Sequence, residues 1–261
     1  GEGLVSKYPD ALVLYDILGA CYMDLKNVSK TIEIYQKAIE INSDHTDAHN
    51  NLGIVFYAQG QFNKAIEHYQ KAIEIEPEFS DAHYNLANTI RDLNNLEEKE
   101  FVKLKKKEVN MIDEVIEIYK KAIELKPDYI EAYNNLGIIQ HKNDRKEEAA
   151  ISFRKAIEFK PDNFEAYNNL ANVLKDLNKI NEAVECYETA IELNPSFADA
   201  YNNLGTLLTT ISKKDEAEKN FKKSLELNPD LPEAKNNLSV LLRQKQVLLK
   251  INQVREFKDK I

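Results

Sequence analysis

Prolines stand at 127, 161, 195 and 229, each 34 residues after the last. A small residue keeps the same step, at 19, 53 and 87 and again at 137, 171, 205 and 239. The one irregular interval, 50 residues from Ala87 to Gly137, is the same period with 16 residues added. A fixed period of this length constrains the fold more than any other feature of the chain. A unit of this size cannot bury its own apolar face, so neighbours must stack and share one core.

Residues 46–79 show the logic of one unit. His49, Leu52, Gly53 and Phe56 share a helical face, and Gln59-Gly60-Gln61 is a turn signal. Ala65, Ile66, Tyr69, Ala72 and Ile73 repeat at helical spacing until Glu76-Pro77, where proline forces the preceding residue out of the α region. Each unit therefore reads as helix, short turn, helix, with Gly53 and Ala72 small where the helices approach. The spacing aromatic-x-x-Leu-Gly-x-x-aromatic, then Ala-x-x-x-aromatic, then Pro resembles the tetratricopeptide repeat (TPR). It recurs as Tyr133/Leu136/Gly137 with Ala149/Phe153, Ala156 and Pro161, then as Tyr167/Leu170/Ala171 with Ala183/Tyr187, Ala190 and Pro195. A further copy is Tyr201/Leu204/Gly205 with Ala217/Phe221 and Pro229. The first copy (Tyr15, Leu18, Gly19, Tyr22, Tyr35, Ala38) is looser, with Thr31 and Ser43 in place of Ala and Pro.

The resemblance implies an all-α fold, a right-handed TPR solenoid of antiparallel helix pairs. The units run 12–45, 46–79, 80–129, 130–163, 164–197 and 198–231. Pro9 precedes Ser43 by 34 residues, so residues 1–11 read as the tail of an earlier helix and the chain as a segment of a longer protein. Residues 232–261 read as one closing helix with Val247, Ile251, Val254 and Ile261 at helical spacing. That helix either caps the stack or mediates self-association. The 16 added residues fall at about 95–110 and are rich in helix formers, with Asn95 and Glu98 spaced as a capping box. They predict a helical excursion with the Lys103–Lys107 cluster solvated, or a docking surface on Phe101, Val102 and Leu104.

Asparagine recurs in one register of the first helix: Asn51, Asn85, Asn135, Asn169, Asn203 and Asn237, two residues before each small residue. Asparagine is a mediocre helix former, so the recurrence needs a reason. The neighbouring Leu faces the core, and the Asn is rotated about 100° from it. Asn50, Tyr84, Asn134, Asn168, Asn202 and Asn236 extend the same strip. In TPR solenoids the first helices line a concave groove, so the resemblance implies an amide ladder inside it. An amide offers both donor and acceptor, matching a peptide backbone that is read without regard to its side chains. The ladder is similar to that of O-GlcNAc transferase-type TPR proteins, where it holds protein substrates for a glycosyltransferase domain; no part of this chain resembles that domain. The competing structural reading is that each Asn bonds a neighbouring helix and stabilises stacking. The first unit departs from the register, with Ile17 in the Asn slot.

Four residues before each Asn stands an acid: Asp47, Asp81, Glu131, Glu165, Asp199 and Glu233. Acids repel a carboxylate, so the reading excludes a clamp for a carboxylate-ended chaperone tail and favours basic or neutral segments, modulated by Arg91, Lys175 and Arg243. Net charge −9 and pI near 5.3 argue against nucleic acid as partner. No apolar run is long enough to span a membrane, and the N-terminus lacks the layout of a signal peptide, which favours a cytoplasmic setting. Cys21 and Cys186 read as small apolar fillers. His45 and His49, one turn apart beside Asp44 and Asp47, have metal-like spacing, but His49 and His83 occupy the packing aromatic slot, so no metal or cofactor is expected. No phosphate loop or Gly-x-Ser-x-Gly motif is present, and the chain is expected not to be an enzyme. The resulting expectation is a protein-interaction scaffold for an extended peptide. The alternatives are the recruiting arm of a larger glycosyltransferase and a self-assembling structural repeat.

Overall fold

A computed structural model describes residues 2–100 and 105–258, with side chains described except at 2, 6, 97–110 and beyond 249. Fourteen α-helices and no strand occur among the described residues. None of these helices is long and apolar enough to cross a membrane. The chain falls into two compact units, 1–136 and 137–261. Unit 1 holds α1 (Glu2–Lys7), α2 (Leu12–Asp24), α3 (Val28–Ile41), α4 (Thr46–Ala58), α5 (Phe62–Ile75), α6 (Ser80–Glu100) and α7 (Lys105–Leu125). Helix α8 (Ile130–Lys142) begins in unit 1 and ends in unit 2. Unit 2 continues with α9 (Lys146–Phe159), α10 (Phe164–Asp176), α11 (Ile180–Leu193), α12 (Ala198–Thr210), α13 (Lys214–Leu227) and α14 (Pro232–Lys258).

Hairpins close through contact of a small residue with a ring. A Cβ built on Gly53 would fall 2.5 Å from the Tyr69 ring, and one on Gly205 would fall 2.8 Å from the Phe221 ring. Gly19 meets Tyr35 and Gly137 meets Phe153 in the same way. Tyr35, Tyr69, Tyr119, Phe153, Tyr187 and Phe221 are all essentially inaccessible. The turn between the two helices also repeats. Gly60 takes φ 71°, and Lys26, Asp144, Asn178 and Ser212 take φ between 55° and 64° at the equivalent place. In each case the next residue's N–H reaches back five residues, as Gln61 does to the Phe56 carbonyl at 2.9 Å. The left-handed residue likewise donates three back, as Gly60 does to Tyr57 at 2.9 Å. These two bonds together satisfy carbonyls that a helix end leaves orphaned. Only one of the five left-handed positions carries glycine, so this turn is set by hydrogen bonding more than by residue type.

Hairpins then stack. In unit 2, Phe153, Leu170, Leu174, Tyr187, Leu204, Leu207, Phe221 and Leu241 form one continuous buried cluster through α9 to α14. Cys186 packs beside it, and burial raises its thiol to about 11. Cys21 does not follow the filler expectation, because it is exposed. It shares a register with Val55 and Val173, which are buried where one repeat meets the repeat before. Ile17 and Val13, one and two turns before Cys21 on α2, are exposed too.

The extra residues of the third repeat extend α6 and α7 to 21 residues each, against 13 and 14 in the repeat before. Phe101, Val102 and Leu104, proposed from sequence as a docking surface, lie outside the described residues, as do Lys103 and the side chains of Lys105–Lys107. Helix α14 seats Ala234 and Leu241 against α12 and α13, and Lys245 bonds Asp215 at 2.7 Å and Glu218. Val247 is exposed, while Ile261 and the side chains of Ile251 and Val254 lie outside the described residues.

His49 occupies its packing slot on α4, where it is 8% exposed. Its Nε2 stands 3.2 Å from the Ser43 carbonyl and its Nδ1 3.1 Å from Nδ1 of His68 on α5. A carbonyl only accepts, so Nε2 of neutral His49 donates to it and Nδ1 accepts from His68. Burial lowers the pKa of both rings, that of His68 to about 4. The charged form is thus disfavoured in the fold, while the unfolded chain takes up the proton near pH 6.5. This pair therefore stabilises the fold above about pH 6.5, and the contribution is lost as pH falls towards about 4.

Two outcomes follow from this packing. Gly205→Val drives an isopropyl group into the Phe221 ring, from which its Cβ alone falls 2.8 Å, and should lower unfolding free energy by about 1–3 kcal/mol, read from a urea midpoint. His68→Asn keeps a donor for His49 without a titrating ring. Between pH 7 and pH 5 it should lose less thermal stability than the parent; equal losses would show that the pair does not titrate as described.

Candidate functional site

The recurrent asparagines lie on the first helix of each repeat after the first, beside a buried leucine at 52, 86, 136, 170 and 204, and on α14. In unit 2, Asn203 Nδ2 donates to Asn168 Oδ1 at 3.0 Å, and Asn237 Nδ2 donates to Asn202 Oδ1 at 3.0 Å. Asn237 also reaches Thr206 Oγ1 at 3.3 Å. In unit 1, Asn85 Nδ2 donates to Asn50 Oδ1 at 3.1 Å. The partners are 35 residues apart because the second Asn of one repeat meets the first Asn of the repeat before it. Where Tyr84 takes the first Asn's place, Asn135 bonds the Tyr84 hydroxyl at 3.1 Å and Asn88 Oδ1 at 2.9 Å. Asn51 has no amide in the first repeat to pair with and hydrogen-bonds the Tyr35 hydroxyl instead.

The two Asn registers are unequal. Asn50, Asn168 and Asn202 are buried, at 7%, 6% and 7% exposure. Asn51, Asn85, Asn135, Asn169, Asn203 and Asn237 are half-buried. Each inter-repeat bond uses one N–H of the second Asn and one lone pair of the first. An amide has two donors and two lone pairs, so the half-buried member keeps a carbonyl oxygen and an N–H in reserve. Asn134 is half-buried, and its Oδ1 is enclosed with no hydrogen-bond partner among the described residues. Asn236 is exposed on the outermost first-helix position.

In unit 2 these amides face an open cleft of about 540 Å³. Asn168, Asn169, Asn202 and Asn203 form its floor, Ile138, Phe197 and Leu231 contribute apolar surface, and Glu165, Asp199 and Glu233 supply carboxylates. Lys175 does not line this cleft; its Nζ stands 3.9 Å from Asp176.

In unit 1 a smaller cleft of about 250 Å³ collects Tyr57, Tyr69, Tyr84, Asn85, Asn88, Arg91 and Asn135. Arg91 Nε donates to Asp92 at 2.8 Å and Nη1 to the Tyr119 hydroxyl at 3.1 Å. Tyr119 donates to Asn88 Oδ1 at 2.6 Å, and Tyr57 donates to Asp92 at 2.5 Å. Burial and the Asp92 carboxylate push the Tyr57 hydroxyl up to about 12. Arg91 is therefore held by this network and presents little free charge.

Sequence reasoning missed Asn88 and Tyr57. A signal for Asn88 was present: the repeats with Ala in place of Gly, at 87 and 171, carry Asn next, and each pairs with a buried tyrosine. Tyr187 donates to Asn172 at 2.6 Å as Tyr119 does to Asn88. A buried phenol needs an acceptor, and the added Asn supplies it.

Tetratricopeptide repeat family models match residues 46–79, 130–163 and 198–231, and also 68–101 and 152–185. A TPR repeat model matches 19–60, 110–144 and 171–209. Among solved structures, the chain is similar to PilF of Pseudomonas aeruginosa, with TM-score 0.70 and 19% identity over 87% of this chain and 96% of that one. It is similar to YrrB, described as a TPR protein with an unusual peptide-binding site, with TM-score 0.62 and 20% identity over 77% and 96% of the two chains. A MamA protein aligns with TM-score 0.59 and 27% identity over 70% and 92%. No curated protein sequence matches the chain. Together with helix pairs that stack at a 34-residue step, these matches make the chain a member of the tetratricopeptide repeat family.

Proposed function

We propose that this protein is a protein-interaction scaffold that holds an extended peptide in the unit 2 cleft through the amides of Asn169 and Asn203. The observation that carries the reading is the pairing just described. Asn203 spends one N–H on Asn168 of the repeat before it, which fixes its rotamer, and keeps donor and acceptor capacity at the cleft that Asn169 also lines. A peptide backbone in extended form presents C=O and N–H groups that match a fixed row of amides. One such bond nets only about 1 kcal/mol, so several must act together. Preorganisation helps, because a side chain already locked loses little entropy on binding.

Glu165, Asp199 and Glu233 on the cleft, with the net charge of −9, favour a basic segment by charge complementarity. Ile138, Phe197 and Leu231 offer apolar surface for side chains or for the stems of lysine and arginine. This surface is unsuited to an acidic tail.

The test begins with the tightest binder from a random 12-residue peptide library, measured by calorimetry. Asn169→Ala with Asn203→Ala should weaken it about tenfold or more, with helicity retained. The same peptide methylated on alternate backbone nitrogens should also lose binding. Full affinity of the methylated peptide for the parent protein would contradict backbone recognition.

A further inference from the structure

We propose that Asp16, His45 and Asp47 form a three-ligand site for a divalent transition metal such as Zn²⁺, tying the first repeat to the second. Asp16 lies on α2, while His45 and Asp47 flank the start of α4, all within unit 1. One imidazole nitrogen and one oxygen from each carboxylate lie within 4.8 Å of one another.

The register explains why the site arises here and not in other repeats. Asp16 holds the position of the first Asn, represented elsewhere by Asn50, Asn168 and Asn202. His45 holds the position of Phe79, Phe197 and Leu231, and Asp47 belongs to the acid register of Glu165 and Asp199. Two changes, a carboxylate at 16 and an imidazole at 45, add two donors to the acid that every repeat after the first carries at this register. The amide whose register would meet residue 16 is Asn51, and it hydrogen-bonds the Tyr35 hydroxyl.

The local geometry would suit ligands to one ion. His45 Nε2 and Asp16 Oδ1 are 3.1 Å apart as an ion pair, and neither atom hydrogen-bonds any described residue outside this pair. Both atoms are enclosed, and the His45 side chain is only 10% exposed. Two donors about 2 Å from a tetrahedral zinc stand about 3.3 Å apart, close to this separation. His45 precedes α4 as its N-cap residue, but its side chain makes no capping bond, so capping does not account for its placement. By contrast, His141 and Asp176 form an ordinary, more exposed hydrogen bond at 2.8 Å.

The donor set selects the metal. Imidazole with carboxylates suits zinc and its neighbours, whereas Ca²⁺ seeks six to eight oxygens and Mg²⁺ a near-octahedral oxygen shell. Three protein ligands leave a fourth position for water or for a donor from a bound partner.

The test is calorimetric titration of the intact chain with Zn²⁺, paired with the visible absorption of the Co²⁺ form. We expect one equivalent bound, with a tetrahedral Co²⁺ band and a rise in melting temperature. Asp16→Asn and His45→Phe install residues that other repeats use at these positions, so helicity should be kept. Each should weaken Zn²⁺ at least tenfold and abolish the melting shift. Cys21→Ser and His141→Ala should bind as the parent does. Absence of saturable Zn²⁺ binding by the parent overturns the proposal. So does parent-like affinity in His45→Phe, or loss of binding in Cys21→Ser, either of which places the metal elsewhere.

Discussion

Contact between a residue of minimal size and an aromatic ring governs this structure. Gly53 against Tyr69, and its counterparts at 19, 137 and 205, bring the two helices of a hairpin so close that the first has one permitted rotation. That rotation sends Leu52 and its equivalents into the core. The residue just before leucine is then turned about 100° away from the core. Site chemistry is therefore inherited from packing: the small residue at this position, glycine or alanine in each hairpin, sets the face from which the asparagines project.

The same amides meet two needs that a sequence reader sets against each other. Asn203 and Asn237 bond the preceding repeat, as the stacking reading requires, and Asn203 also lines the unit 2 cleft together with Asn168, Asn169 and Asn202. These roles are compatible because an amide has four hydrogen-bonding valences and the inter-repeat bond engages one. Spending one of them stiffens the side chain that presents the others. An alternative built from serine would have fewer valences, and one built from lysine would repel the basic segments that the cleft carboxylates favour.

Much of this was legible from spacing. The 34-residue step, Gly53 and Pro77 place helices, turns and inward faces, because apolar periodicity and helix breakers act locally. Partners across repeats were not legible. That Asn203 would meet Asn168, 35 residues back, depends on the stagger of adjacent helices, which no single repeat encodes. Arg91 reads from sequence as a groove charge, yet Asp92 and Tyr119 hold it. Lys175 reads the same way but stands beside Asp176, away from the cleft lining. Cys21 looks like a core filler by residue type and is exposed, because burial at that register needs a neighbouring repeat. His45 was overshadowed by His49, since proximity in sequence suggested the wrong pair; the residue that His45 meets, Asp16, is remote in sequence.

The most direct measurement is nuclear magnetic resonance of the asparagine side-chain NH₂ groups during titration with a selected peptide. The account predicts that the Asn169 and Asn203 resonances shift and saturate with binding, while the inter-repeat bond from Asn203 to Asn168 persists. Saturating peptide that leaves both resonances unmoved, with shifts confined to another surface, would contradict it.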